Sequence, residues 1–339
     1  MNGSMNATAN ADMRAPAPMR ATVTATDALI EPTDRQAFTA SFPLQPFAIR
    51  HRLAGDPLFS LAHVVDLVRQ LPRDQIEYNS GKVAIGQDPD STPVVDLEPE
   101  EVVRRIETAG AWMVCKRIEM LPGYRAVLEE TLLSVARANG HASLEEAGFE
   151  DIRGFLFVSS PNSTTPFHVD GEDNFFVHMH GEKYFTVCDN RDGAVVADDA
   201  IEQAISKHRN VTYTPEFEAR SKCYSLQPGE GLFVPYLWPH WVRTGSQYSI
   251  SMAITWKTKA VMRKNDIFVV NGLLRRMGLP QAAPGRNPAA DAVKLALFRV
   301  VKAVLDPLRR SESMRAMLRK LVLGRNANYF IRTGAKTAG

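Results

Sequence analysis

The chain has 339 residues, 45% apolar and 23% charged, with 40 basic against 38 acidic side chains. That balance excludes a disordered or fibrous chain and fits a soluble globular protein of one large or two ordinary domains. No stretch approaches the roughly 18 uninterrupted apolar residues of a membrane-spanning helix. The three cysteines, Cys115, Cys188 and Cys223, lack CxxC spacing and point to a reducing compartment, the cytoplasm.

Residues 1–30 read as an unstructured tail, with Pro16 and Pro18 interrupting any helix and no apolar core of a secretory signal. Residues 31–150 read as helical and mixed elements. Asp56-Pro57 sets an N-cap and first-turn proline before Leu58, Leu61, Val64, Val65 and Val68. Pro99 opens a second helix, Trp112 to Ile118 suits a strand, and a third helix runs from Tyr124 to Ala138. Residues 151–260 change to short β-branched or aromatic runs: Phe155–Val158, Phe175–Met179, Tyr184–Cys188, Gly231–Pro235 and Tyr248–Trp256. Strands without helices between them predict an antiparallel barrel or sandwich. Residues 261–333 read as C-terminal helices, with one apolar stripe at Leu295, Phe298, Val301 and Leu305 and a second helix from Pro307 to Gly324. Their other face is basic, at Lys294, Arg299, Lys302, Arg309, Arg310, Arg315, Arg319, Lys320 and Arg325. The plain reading is a solvated face on a packing helix pair. Without interleaved aromatics this is no nucleic-acid motif, so of the two sharper readings, a dimerisation pair or a patch for an acidic or nucleic-acid partner, dimerisation is the better.

The chemistry concentrates in Thr164-Thr-Pro-Phe-His-Val-Asp170. In an extended segment His168 and Asp170 project to the same side, two adjacent corners of a metal coordination sphere. His240, after the turn at Pro228-Gly229 and a short strand, is the candidate third ligand. Two histidines and one carboxylate on one face of an octahedron leave three positions open, the pattern of non-heme Fe(II) oxygenases, whereas catalytic zinc keeps one. An HxD alone also fits a surface turn. Lys183, entering the strand after His180-Gly181-Glu182, can neutralise an anion inside a barrel or stand exposed at a hairpin turn. His178 and His180 fit partly exposed strand positions. Tyr236, Trp238 and Trp241 fit packing at the barrel mouth, and Cys188 and Cys223 small core sites.

Taken together, Thr165-Pro-Phe-His168-Val-Asp170, Asn174, Gly181-Glu-Lys183, Phe233-Val-Pro235 and Trp238-Pro-His240 resemble the cupin-like JmjC oxygenases over roughly residues 150 to 258, most of all the factor-inhibiting-HIF-type hydroxylase branch. The resemblance implies a double-stranded β-helix (jelly-roll) barrel, mainly β with flanking helices, and a homodimer through the C-terminal helices. It implies Fe(II) on His168, Asp170 and His240, with 2-oxoglutarate and O2 as co-substrates. Lys183 would pair with the distal carboxylate of 2-oxoglutarate, Thr165 would donate to it, and Asn174 would be a further contact. The implied reaction is hydroxylation of a peptide, protein or small-molecule substrate with release of succinate and CO2. Two departures stand out: Ile254 occupies the position where family members carry an amide, and the upstream tyrosine has no counterpart around Trp112–Lys116. They motivate an alternative, a metal-binding cupin with a regulatory role and no turnover.

Overall fold

Runs of Val, Ile, Phe and Tyr punctuated by Gly, Pro, Asn and Asp fold, in the computed structural model, into two antiparallel sheets. The structure describes residues 30–33, 35–88, 91–207, 210–308 and Met317. The expected N-terminal tail, the helix from Pro307 to Gly324 beyond Leu308, and the basic residues from Arg309 onward lie outside the described residues, Met317 apart.

In chain order the strands are β1 (Ile30–Pro32), β2 (Phe47–His51), β3 (Ile76–Ser80), β4 (Ala111–Lys116), β5 (Glu150–Ser159), β6 (Thr164–His168), β7 (Asp173–His180), β8 (Lys183–Cys188), β9 (Ser221–Leu226), β10 (Glu230–Val234), β11 (His240–Thr244) and β12 (Ser249–Lys257). The helices are α1 (Arg35–Ser41), α2 (Leu61–Gln70), α3 (Pro99–Arg104), α4 (Pro122–Ala138), α5 (Asp198–Lys207), α6 (Lys259–Arg276) and α7 (Pro288–Leu308). The large sheet runs β1-β2-β10-β7-β12-β5-β4-β3 and the small one β6-β11-β8-β9. Strands β1 to β4 therefore extend the large sheet on both flanks, so the mixed N-terminal region is part of the β architecture.

Period-two alternation separates the two faces of the large sheet. Outward-facing Met113, Cys115, Leu156, Val158, Met252 and Ile254 join the main core with residues of α2, α3 and α4. The opposite face, with Phe176 and Ala253, meets Phe185, Val187 and Val242 of the small sheet in a separate apolar layer. Behind the small sheet, Phe167 and Trp241 pack with Ile201 of α5 and Phe268 of α6.

Local chemistry revises several expectations. Asp56 caps a 3-10 turn at Pro57–Phe59, and the hydroxyl of Ser60 is the N-cap of α2, accepting from the His63 N–H. Gly181 makes no hairpin: it joins β7 to β8 across two different sheets, a corner needing its φ of +80°. Helix α6 falls in the stretch read as C-terminal helices, but no apolar stripe marks it in the sequence; α5, α7 and the cavity between the sheets each take part of its circumference. Cys188 is buried as expected, whereas Cys223 is exposed on the edge strand β9.

Candidate active site

The pairing of β6 with β11 creates the site. His168 and His240 are cross-strand partners, with ring centroids 4.2 Å apart. Asp170, just past the end of β6, brings one carboxylate oxygen to 3.9 Å from His168 Nε2 and the other to 3.6 Å from His240 Nε2. One ligand atom from each of the three lies within 4.8 Å of the others, a spacing that can hold a metal ion. The Nδ1 of each imidazole sits against a backbone carbonyl two residues earlier: His168 with Pro166 at 2.7 Å, His240 with Trp238 at 2.9 Å. A carbonyl can only accept, so Nδ1 carries the proton and Nε2 keeps its lone pair for a metal. Burial, with His168 adjacent, lowers the His240 pKa to about 4, which keeps that ring neutral.

The loop carrying Asp170 is tied from three directions. The Leu237 N–H donates to the Asp170 carbonyl at 3.0 Å, the Tyr236 N–H to Asp173 Oδ1 at 3.0 Å, and Asn265 Nδ2 of α6 to the Gly171 carbonyl at 2.8 Å. The Tyr236 hydroxyl in turn donates to Asn265 Oδ1 at 2.9 Å.

The three side chains open onto a cavity of about 630 Å³ between the sheets. Lys183 lies in its wall, 3% exposed. Its ammonium donates to Ser251 Oγ at 2.5 Å and stands 5.3 Å from the centre of the Phe176 ring. No carboxylate pairs with it among the described residues, and burial pulls its pKa down to about 7. A buried cation without a counter-charge is costly unless an anion joins it. Thr165 of β6 and Asn174 of β7 line the same cavity, and Asn174 Oδ1 is buried without a hydrogen-bond partner.

All six residues singled out in the sequence thus face one space. Asp170 and Asn174 do so from a loop and a strand, not from one regular strand. Other features were missed. His178 is not partly exposed but fully buried, its Nε2 donating to the Gly181 carbonyl at 2.9 Å. Ile254, where an amide was sought, faces the outer core, so the cavity-facing residues of β12 are Ala253, Thr255 and Lys257. Trp112 lines the cavity and packs on Phe157, and its Nε1–H is buried without an acceptor. Its position, within the segment searched for a tyrosine, was the available signal. The insertion between β8 and β9 contributes Ala204, Ile205 and Asn210 to the wall.

Residues 126–261, from within α4 to the start of α6, match the model of a family described as "Cupin-like domain". The solved X-ray structure of YcfD from Escherichia coli shares 15% identity at a TM-score of 0.46, covering 87% of this chain and 73% of that one. A structure titled as YcfD, a ribosomal oxygenase from E. coli, in complex with cobalt and 2-oxoglutarate gives 15% identity and a TM-score of 0.46, covering 86% and 72%. No curated protein matches the chain.

Proposed function

We propose that this chain, with its cupin-like domain, is an Fe(II)- and 2-oxoglutarate-dependent oxygenase that hydroxylates a C–H bond of a protein side chain or small metabolite. The observation that carries this reading is the meeting of His168, Asp170 and His240 around one point, beside a buried ammonium that no carboxylate among the described residues pairs with. The donor set suits iron(II): two neutral imidazole nitrogens and one carboxylate on one side, leaving room for a chelating co-substrate and oxygen. Bound iron supplies the oxidising chemistry that couples decarboxylation of 2-oxoglutarate to oxygenation of a substrate. Lys183 holds the distal carboxylate of 2-oxoglutarate, with Ser251 fixing the ammonium. Thr165 and the Trp112 indole N–H add uncharged donors, and Asn174 offers a further contact. Phe157, Phe176 and Phe185 exclude water around that end. The spacing from Thr165 through His168 and Asp170 to Asn174 and Lys183 supports the factor-inhibiting-HIF-type branch.

The test is succinate formation from 2-oxoglutarate by the iron-loaded protein. His168→Ala and Asp170→Ala are each expected to abolish both iron retention and succinate; a variant retaining both sinks the reading. A regulatory cupin without turnover is the second reading, favoured by Ala253 and Thr255 on the strand where an amide was expected. Iron retention without a 2-oxoglutarate-dependent absorption band would support it.

The protein is further proposed to act in the cytoplasm as a homodimer, with residues 151–260 the catalytic barrel and the C-terminal helices the contact. Val293, Leu297, Val300 and Val301 of α7 stand exposed as an apolar stripe, which supports the dimer. Among the described residues no helix is long and apolar enough to cross a membrane.

A further inference from the structure

Resting on the oxygenase reading, we propose that His178 is a positioning residue for the co-substrate: through a buried water and Ser251 it fixes the Lys183 ammonium that grips the distal carboxylate. An ammonium can only donate, so the Ser251 oxygen is the acceptor in its bond with Lys183, and the hydroxyl's own hydrogen must go elsewhere. Ser251 is fully buried, and nothing among the described residues accepts that hydrogen. The cross-strand partner of Ser251 is His178 of β7. Alternation puts both on the inner face of the large sheet, His178 with Phe176 and Ser251 with Ala253. The His178 Nε2 gives its hydrogen to the Gly181 carbonyl at 2.9 Å, so Nδ1 keeps a lone pair. That nitrogen is buried and meets no donor among the described residues. An unused hydrogen and an unused lone pair therefore sit on paired residues.

The two do not bond directly. Ser249, two residues along β12 and on the same face, buries a third hydroxyl without a partner. A water among the three accepts from Ser251, donates to His178 Nδ1 and exchanges a bond with Ser249, a set of polar partners of the size buried waters usually have. Burial, with the Lys183 charge adding to it, holds the His178 pKa down to about 3, so the ring stays neutral and its lone pair stays available. With Ser251 held in one rotamer, the ammonium is aimed before the acid arrives, and less side-chain freedom is lost on binding. An apolar side chain at position 178 would leave the Ser251 hydrogen without an acceptor.

The experiment uses the full-length protein loaded anaerobically with iron(II). It is titrated with 2-oxoglutarate and, separately, with 2-oxopentanoate, which has the same keto-acid end and chain length but no distal carboxylate. The readout is the metal-to-keto-acid absorption band, which reports binding without turnover. His178→Leu is expected to weaken 2-oxoglutarate about tenfold, the worth of a hydrogen bond serving a charged group, and to leave 2-oxopentanoate unchanged. A general distortion of the barrel would weaken both acids alike. Ser251→Ala alone should cost as much as Ser251→Ala combined with His178→Leu, because one residue acts through the other. Ser249→Ala, a smaller change, should show the same selectivity at about threefold, and it decides the question should His178→Leu not fold. Equal losses for the two acids, unchanged 2-oxoglutarate affinity in the folded variants, or additive costs in the double variant each overturn the proposal. Failure of the band to form with 2-oxoglutarate in the unsubstituted protein overturns instead the oxygenase reading beneath it.

Discussion

At the scale of single residues, Lys183 is the most exposed to test. Burial takes its pKa from an ordinary 10.5 to about 7, so above pH 7 the ligand-free protein has lost that proton. An anion beside it restores the charge, and binding of 2-oxoglutarate above pH 7 must then take up a proton. Affinity is expected to be flat below pH 7 and to weaken by about tenfold per pH unit above it, with proton uptake visible by calorimetry in buffers of different ionisation enthalpy. The same burial has an opposite effect on stability. Below pH 7 the folded chain carries the full cost of an unpartnered ammonium; from pH 7 to 10.5 the unfolded chain holds a proton that the folded one does not, so stability gained by deprotonation rises with pH. Lys183→Met should raise the Tm of the ligand-free protein at pH 6, on the order of 2 °C, while abolishing 2-oxoglutarate binding. The gain should shrink as pH approaches 10.5. A lowered Tm at pH 6 with co-substrate affinity intact contradicts the assigned role. The residue types of this site were legible because metal binding restricts the choice to a few side chains at fixed strand spacing. Trp112 and His178 were not, since nothing in a sequence shows which buried N–H or ring nitrogen will lack a partner.

At the scale of elements, the corner at Gly181 sets where Lys183 points. A Cβ there would lie 2.2 Å from the Tyr248 carbonyl oxygen, on a backbone at φ +80°. Gly181→Ala is expected to cost about 1–3 kcal/mol, read as a fall of several degrees in Tm, and to weaken 2-oxoglutarate binding because Lys183 begins the next strand. An unchanged thermal scan would mean that the corner relaxes freely. Strands such as β5, β8 and β12 could be read from sequence because β-branched and aromatic residues fill them. Others could not. β3 sends Glu77 and Asn79 into the cavity, and β6 carries Thr164, Thr165 and His168 there, so a polar interior erases the alternation that marks a half-buried strand. Helix α6, within the stretch read as helical, shows no stripe of its own for the related reason that its neighbours surround it.

At the scale of the whole molecule, α6 joins β12 of the large sheet to α7. Asn265 holds the loop that carries Asp170, Arg275 is bound to the buried Glu202 of α5, and Asn271 accepts from Lys294 of α7 at 2.6 Å. The apolar stripe of α7 points away from this contact. Leu297→Glu combined with Val300→Glu is expected to halve the sedimentation mass of the protein without unfolding it; a wild-type chain that sediments as a monomer removes the dimer from the proposal. The general layout, a β barrel between helical flanks, was legible because hydrophobic period and turn residues change together near residue 150. The recruitment of β1 to β4 into the large sheet was not, because long-range strand pairing leaves no local mark.

The bonds from Pro166 and Trp238 to the two imidazoles have one more consequence. They are made by neighbouring backbone, the ties on the Asp170 loop by two backbone N–H groups and the Asn265 side chain, and none waits for an ion. The seat is finished when the polypeptide is, unlike small zinc domains that collapse when chelated. Stripping the ion should silence the protein yet leave its far-ultraviolet circular dichroism unchanged, and re-addition should revive it within the time of mixing; loss of the dichroism signal would show that metal and folding are one event. A cell short of iron would then hold a standing reserve of intact, idle copies, and output would follow the nutrient at once, with no delay for new synthesis.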